Sequence, residues 1–134
     1  MGSRYRREEK VLFRHCDPAG IVFFPRYFEM INDCVEHFFA ETLGWPFEQL
    51  LQTDGVPTAT ISTRFRAPSR HGDRLDLALE VTKVGRTSFC YKIEARCDDE
   101  LRFEAEATIV HLDGTGRPAL WPEAIRRKLE GTGP

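Results

Sequence analysis

The sequence predicts an α+β fold in which one antiparallel sheet wraps a single long apolar helix. Three observations carry this expectation. A helical apolar stripe fills the N-terminal half, strictly alternating stretches fill the C-terminal half, and the connections between those stretches are short. At 134 residues, with no internal repeat, low-complexity run or linker, the chain reads as one domain over residues 1–134.

Val11-Leu12-Phe13 reads as the end of a short N-terminal strand. The stretch His15 to Phe24 follows, and Asp17-Pro18 with Gly20 marks it as a loop or turn. A helix opens at Pro25, because proline is tolerated where the lost N–H has no partner. Its stripe is Phe28, Ile31, Val35, Phe38, Phe39 and Leu43, with Met30 and Cys34 beside it, so the helix should be largely enclosed. Gly44 is placed to end it, Pro46 prevents continuation, and Pro46 to Leu51 has room for a short second helix.

Thr58 to Phe65 is rich in β-branched residues. Leu75, Leu77, Leu79 and Val81 then alternate with polar or small residues, as do Phe89, Tyr91, Ile93 and Ala95, and again Leu101 to Ile109. Short turns between them imply an antiparallel meander. Pro122 to Glu130 reads as a terminal helix, with Arg126-Arg127-Lys128 as its solvated C-terminal turn.

Composition removes several functional classes. A formal net charge of -2 gives no strong field toward nucleic acid or anionic membrane. No apolar run approaches the ~20 residues needed to span a bilayer. Met1 to Lys10 is charged and lacks the apolar core of a secretory signal. Cys16, Cys34, Cys90 and Cys97 form no CxxC pair and read as reduced, mostly structural thiols, so the expected compartment is the cytoplasm. His37, His71 and His111 fall in unrelated elements, and no metal site is expected. Arg64, Arg66, Arg70 and Arg74 read as surface cations.

The informative segment is Phe13 to Phe28. It places the Asp17 carboxylate in an irregular loop just before a helix N-terminus. That terminus offers unpaired N–H groups and the positive end of the dipole, which suit a developing oxyanion. A nearby carboxylate can attack a carbonyl or activate water. Together these are the parts of acyl hydrolysis, although an aspartate before proline also suits a plain turn. His15, Cys16 and Asp17 are not read as a nucleophilic triad, because neighbours in extended chain point apart. Cys16 reads as packing and His15 as structural support for the loop.

His15-Cys16-Asp17-Pro18-Ala19-Gly20-Ile21-Val22-Phe23-Phe24-Pro25-Arg26-Tyr27 closely resembles the signature of the 4-hydroxybenzoyl-CoA thioesterases, in the Pseudomonas-type branch. The order of elements agrees with that family over nearly the whole chain. The resemblance implies a hotdog fold, paired into homodimers and often homotetramers with the active site at the subunit interface. It implies acyl-CoA hydrolysis with no cofactor, coenzyme A being part of the substrate. By the same resemblance Asp17 falls on the catalytic aspartate and the Phe24 N–H where the thioester carbonyl is polarised, with Gly20 letting backbone approach the thioester. Gly55 to Thr60 resembles the partner-side wall of the acyl pocket, which gives Thr58 and Thr60 as pocket residues, with Tyr27 and Asn32 added from the helix. Arg86, Thr87 and Arg117 match positions that meet CoA.

Four departures stand out: Gly85 replaces one of a pair of arginines, Asn32 a helix carboxylate, His15 another carboxylate, and Phe24 a common tyrosine. The expected substrate is an aromatic, hydroxybenzoyl-like or otherwise compact acyl-CoA. A non-catalytic acyl-CoA-binding module is the alternative. A hotdog hydratase is disfavoured, because Ile21, Val22 and Pro25 stand where that class places its histidine.

Overall fold

The computed structural model describes residues 4–132; Met1–Ser3 of the charged N-terminal segment, and Gly133 and Pro134, lie outside the described residues. The chain runs β1 (Tyr5–Lys10), α1 (Pro25–Glu41), α2 (Phe47–Leu50), β2 (Thr58–Phe65), β3 (Arg74–Val84), β4 (Ser88–Cys97), β5 (Glu100–Val110) and α3 (Glu123–Thr132). One five-stranded antiparallel sheet has the order β1-β3-β4-β5-β2, and α1 lies across one face.

The core follows from the period-2 pattern. Leu79, Ile93 and Ala105 share one cross-strand row, and Leu77, Ala95 and Phe103 the next. All are buried against Met30, Ile31, Cys34, Val35 and Phe38 of α1. The alanines of β5 leave room for the helix while the large residues of β3 and β4 fill its flanks. Gly44, in the left-handed region at φ +65°, turns the chain so that the Trp45 N–H donates to the Phe39 carbonyl at 2.9 Å. Trp121, Ile125 and Leu129 are buried at the same end of the core.

Four sequence expectations change. The first strand stops at Lys10, and Phe13–His15 forms a 3-10 turn instead of continuing it. The strands are not a simple meander: β2 pairs with β5 and not with β3, so it sits at the sheet edge with its other side open. The helix is enclosed only on its sheet side; Arg26, Glu29, Asn32 and Glu36 form an exposed outer stripe. Arg126, Arg127 and Lys128 are not the helix end, since α3 runs on to Thr132; Arg127 and Lys128 are exposed as expected, but Arg126 donates to the Gly85 carbonyl at 2.9 Å, and Lys128 donates to the Leu43 carbonyl at 3.0 Å, just past the C-terminus of α1. That cation satisfies a carbonyl beyond the helix end and complements the helix dipole.

Candidate active site

Residues 15–23 form a small hairpin. Cys16 and Val22 make an antiparallel bridge, and the Phe23 N–H donates to the His15 carbonyl at 2.9 Å. At the tip the Gly20 N–H closes a turn onto the Asp17 carbonyl at 2.9 Å, with Gly20 at φ +81°. This is the left-handed position that favours glycine, and the space a Cβ would fill there is open.

Asp17 is half-buried. Its Oδ1 accepts the Ala19 N–H at 2.9 Å, and among the described residues Oδ2 has no partner. One carboxylate oxygen is therefore tethered and the other is free for chemistry. Phe24 caps α1, and Pro25 at the first helical position has no N–H to offer. The next two amides are used, Arg26 N–H on the Phe23 carbonyl and Tyr27 N–H on the Phe24 carbonyl. The Phe24 N–H has no acceptor among the described residues, which leaves one open donor at the positive end of the helix.

Two supports hold this loop. His15 is buried, and its Nδ1 accepts the Leu12 N–H at 2.8 Å. Burial holds its pKa below the usual histidine range, which keeps the ring neutral and Nδ1 free to accept. The structural role expected for His15 is met in this bond. The second support was not visible in the sequence. The Val22 N–H donates to the Ser69 carbonyl at 2.9 Å, and Ile21 bridges Arg70. Beneath them the Arg102 guanidinium donates to Ser69 Oγ at 3.2 Å and to Asp73 Oδ2 at 2.8 Å. Arg102, backed by the Arg70 amide, holds the Asp73 carboxyl below its ordinary value. Arg102 lies on β5 and Asp73, 29 residues away, in the loop before β3, so only the strand pairing reveals their contact.

The proposed acyl residues separate. Asn32 and Thr58 meet in an apolar cavity of about 310 Å³ between α1 and β2, with Phe28, Val56 and Ile61. Tyr27 is buried, stacks on Phe65 at 5.7 Å and lines a different cavity of about 460 Å³ with Val22, Phe24 and Ala67. Thr60 is not brought to either: a register shift between Thr58 and Thr60 puts it with Ser62, Cys90 and Thr108 on the other side of the sheet.

The proposed CoA residues converge at the far end of β2. Arg86 and Thr87 form the β3–β4 turn, and Arg117 closes a tight hairpin in which the Asp113 N–H donates to its carbonyl at 2.8 Å. The two are joined through the Thr87 carbonyl, which accepts the His111 N–H at 2.7 Å, and the Leu112–Pro118 bridge. Both arginines are exposed, and neither guanidinium has an ion-pair partner among the described residues. The Asp17 loop lies at the Phe65 end of β2, where Phe24 meets Phe65 at 5.8 Å, so one chain keeps the two halves of the site apart.

A long helix laid on a five-stranded antiparallel sheet is the hotdog fold, and the chain is an enzyme of the thioester-hydrolase type. It belongs to the thioesterase-like superfamily, whose profile matches residues 11–129. The chain is 25% identical over 111 residues to a 1,4-dihydroxy-2-naphthoyl-CoA hydrolase of Synechococcus elongatus, covering 81% of this chain and 79% of that protein. It is also 25% identical over 92 residues to the 4-hydroxybenzoyl-CoA thioesterase of Pseudomonas sp. strain CBS-3, covering 66% of this chain and 65% of that protein. Among solved structures the dynemicin thioesterase superposes with a TM-score of 0.90 at 19% identity, covering 98% of this chain and 99% of that one, which establishes the shared fold.

Proposed function

We propose that this chain hydrolyses acyl-CoA thioesters with Asp17 as the catalytic carboxylate. The observation that carries the reading is the free Asp17 oxygen held by the same short hairpin that ends at the open Phe24 N–H. The thioester carbonyl oxygen accepts the Phe24 N–H, so charge developing on it meets a fixed donor and the helix dipole. Asp17 then acts in one of two ways. As nucleophile it forms an acyl anhydride and releases CoA thiolate, and water then cleaves the anhydride. As base it takes a proton from water while the water oxygen attacks, and the thiolate leaves as thiol. Either route gives free acid and CoA.

The cavity beside Asn32 suits an aromatic or compact acyl group, since it is small, apolar and bears one neutral amide. The named relatives act on naphthoyl-CoA and hydroxybenzoyl-CoA esters, which supports an aromatic class.

The working unit in this reading is at least a homodimer joined through β2, and a homotetramer extends it. The open β2 edge is flanked by exposed Phe23, Phe24, Ile61 and Phe65, an apolar ridge on an unpaired strand. Pairing two β2 strands antiparallel about a two-fold axis sets the Asp17 loop of one chain beside the Thr58 end of the other. The acyl cavity and the two free arginines then flank the thioester from the partner.

The test is thiol release across benzoyl, hydroxybenzoyl, naphthoyl and short aliphatic CoA esters, with Asp17→Asn alongside. Loss of the carboxylate should cost at least ~10² in kcat with CoA-ester binding retained. An Asp17→Asn enzyme keeping more than about a tenth of the rate would mean the carboxylate contributes under ~1.4 kcal/mol and is a turn residue. Label in Asp17 after a single turnover in ¹⁸O water identifies an anhydride cleaved by water at the Asp17 carbonyl, and trapping of an acyl-enzyme by rapid quench detects an anhydride cleaved at the acyl carbonyl.

A further inference from the structure

His111 is buried, at 3% exposure, where a hydrophobic side chain would satisfy the core at lower desolvation cost. Both of its ring nitrogens face acceptors. Nδ1 lies 2.9 Å from the Ala119 carbonyl oxygen and Nε2 lies 2.6 Å from Asp54 Oδ2. A carbonyl can only accept, and so can an ionised carboxylate, so the ring sits between two acceptors and ties them together. Hydrogen bonds from Thr53 and then His111 hold the Asp54 carboxyl below its ordinary value, in keeping with an ionised partner. The ring stacks on Trp121 at 5.0 Å and leans on Trp45 at 5.8 Å.

The position of this pair is what gives it a consequence. The His111 N–H holds the Thr87 carbonyl at 2.7 Å, and the Trp121 N–H holds the Arg86 carbonyl at 3.3 Å. The next residue, Leu112, pairs with Gly55 in both directions, at 2.8 Å and 3.0 Å, and then opens the Arg117 hairpin. Asp54 and Gly55 lead directly into Val56 and Thr58 of the acyl cavity. Three segments that carry the proposed CoA and acyl contacts thus meet through backbone bonds around this pair, and the His111 ring ties the Asp54 segment to Ala119 beside them.

We propose that the His111–Asp54 pair is a positioning element for the CoA end of the site. It fixes the Arg86 turn and the Arg117 hairpin in one register, and so sets affinity for the nucleotide portion of the substrate without touching it. The proposal rests on the reading that Arg86 and Arg117 meet CoA phosphates, whose charge-assisted bonds lose strength when the donors shift.

The experiment compares one acyl group carried on CoA with the same group carried on N-acetylcysteamine, which lacks the nucleotide. His111→Phe keeps the stacked ring and removes both donors. Asp54→Ala removes the partner from a half-buried loop position, and Asp54→Asn keeps an acceptor. An Arg86→Ala/Arg117→Ala enzyme is assayed in parallel. For His111→Phe and Asp54→Ala the expected result is about a tenfold higher KM for the CoA ester, with kcat within about twofold. Their kcat/KM for the truncated ester should stay within about twofold of the parent, and Asp54→Asn should recover most of the CoA affinity. If the arginine variant loses CoA preference while His111→Phe and Asp54→Ala do not, the positioning role is refuted and the CoA reading stands. Equal losses on both esters make the pair a structural staple and refute the proposal. If the arginine variant shows no CoA-specific loss, the CoA reading fails and the proposal falls with it.

Discussion

If the site is shared across β2, two inactive variants should restore one another. The perturbations are Asp17→Asn at one end of the strand and Arg86→Ala/Arg117→Ala at the other. β2 has eight residues, which at ~3.3 Å each separates its ends by about 23 Å. Within one chain both the Asn32–Thr58 cavity and the two arginines lie toward the Thr58 end of β2, away from the Asp17 loop at its Phe65 end. A partner brings its own Thr58 end to the Asp17 loop. Asp17→Asn should lower kcat/KM by at least ~10². Each lost phosphate contact should cost about 1.5 kcal/mol, so the double arginine variant should lose about 3 kcal/mol, or roughly 10² in kcat/KM. Co-expressed in equal amounts, the two chains assort at random. A site is intact only where the arginine variant supplies Asp17 and the Asp17→Asn chain supplies the arginines, which holds for about a quarter of sites in a dimer or a dimer of dimers. The assay is thiol release at substrate well below KM on the co-purified mixture. About 25% of parental activity is expected, against ~1% for either variant alone. A mixture no more active than its parts would falsify the shared site.

Three further outcomes follow from particular contacts. Asn32→Asp should change the rank order of acyl-CoA substrates more than the best rate, because the residue lines the apolar cavity and not the Asp17 loop; an unchanged order on the ester panel removes it from the acyl contacts. Arg102→Met should destabilise the fold by about 2 kcal/mol, discounted from the fully buried case because Arg102 and Asp73 side chains retain 12% and 28% exposure. Asp73 has a depressed folded-state pKa, so its stabilisation is present above its unfolded value near ~3.9 and is lost as pH falls through the folded value. Arg102→Met should flatten that acid limb in chemical denaturation, and an unchanged limb would assign it to other carboxylates. His15 also titrates lower in the folded state, so its contribution is present above ~6.5 and declines as pH falls from there. His15→Asn retains an acceptor for the Leu12 N–H and should remove this decline, read as Tm between pH 7.5 and 5; identical slopes for both proteins would rule out His15.

Much of this architecture was legible because local rules and global packing agree in it. The 3.6-residue stripe of α1 and the alternation of β3, β4 and β5 each name the face that ends up buried, since a slip of one residue would expose every large side chain. Gly44 and Pro25 mark the helix ends for backbone reasons that need no tertiary context. The position of β2 was not legible. Its β-branched composition says strand, but Thr58–Phe65 carries no clean alternation, and nothing local selects β5 over the sequence neighbour β3. The same gap hid the Arg102–Asp73 support, whose partners meet only once the strands have been ordered. It also hid the value of His111, which looked like one of three unrelated histidines. Motif residues were easier to place than the groups that hold them, because Asp17, Gly20 and Phe24 lie within eight residues and share one hairpin and one helix start. Their supports come from the β2–β3 connection and β5, and those of the proposed CoA residues from Asp54, His111 and the segment before α3, and so depend on contacts that close long loops. A substitution at Ser69 or Asp54 should therefore act on turnover or affinity at a distance, even though neither residue belongs to the motif that marks the family.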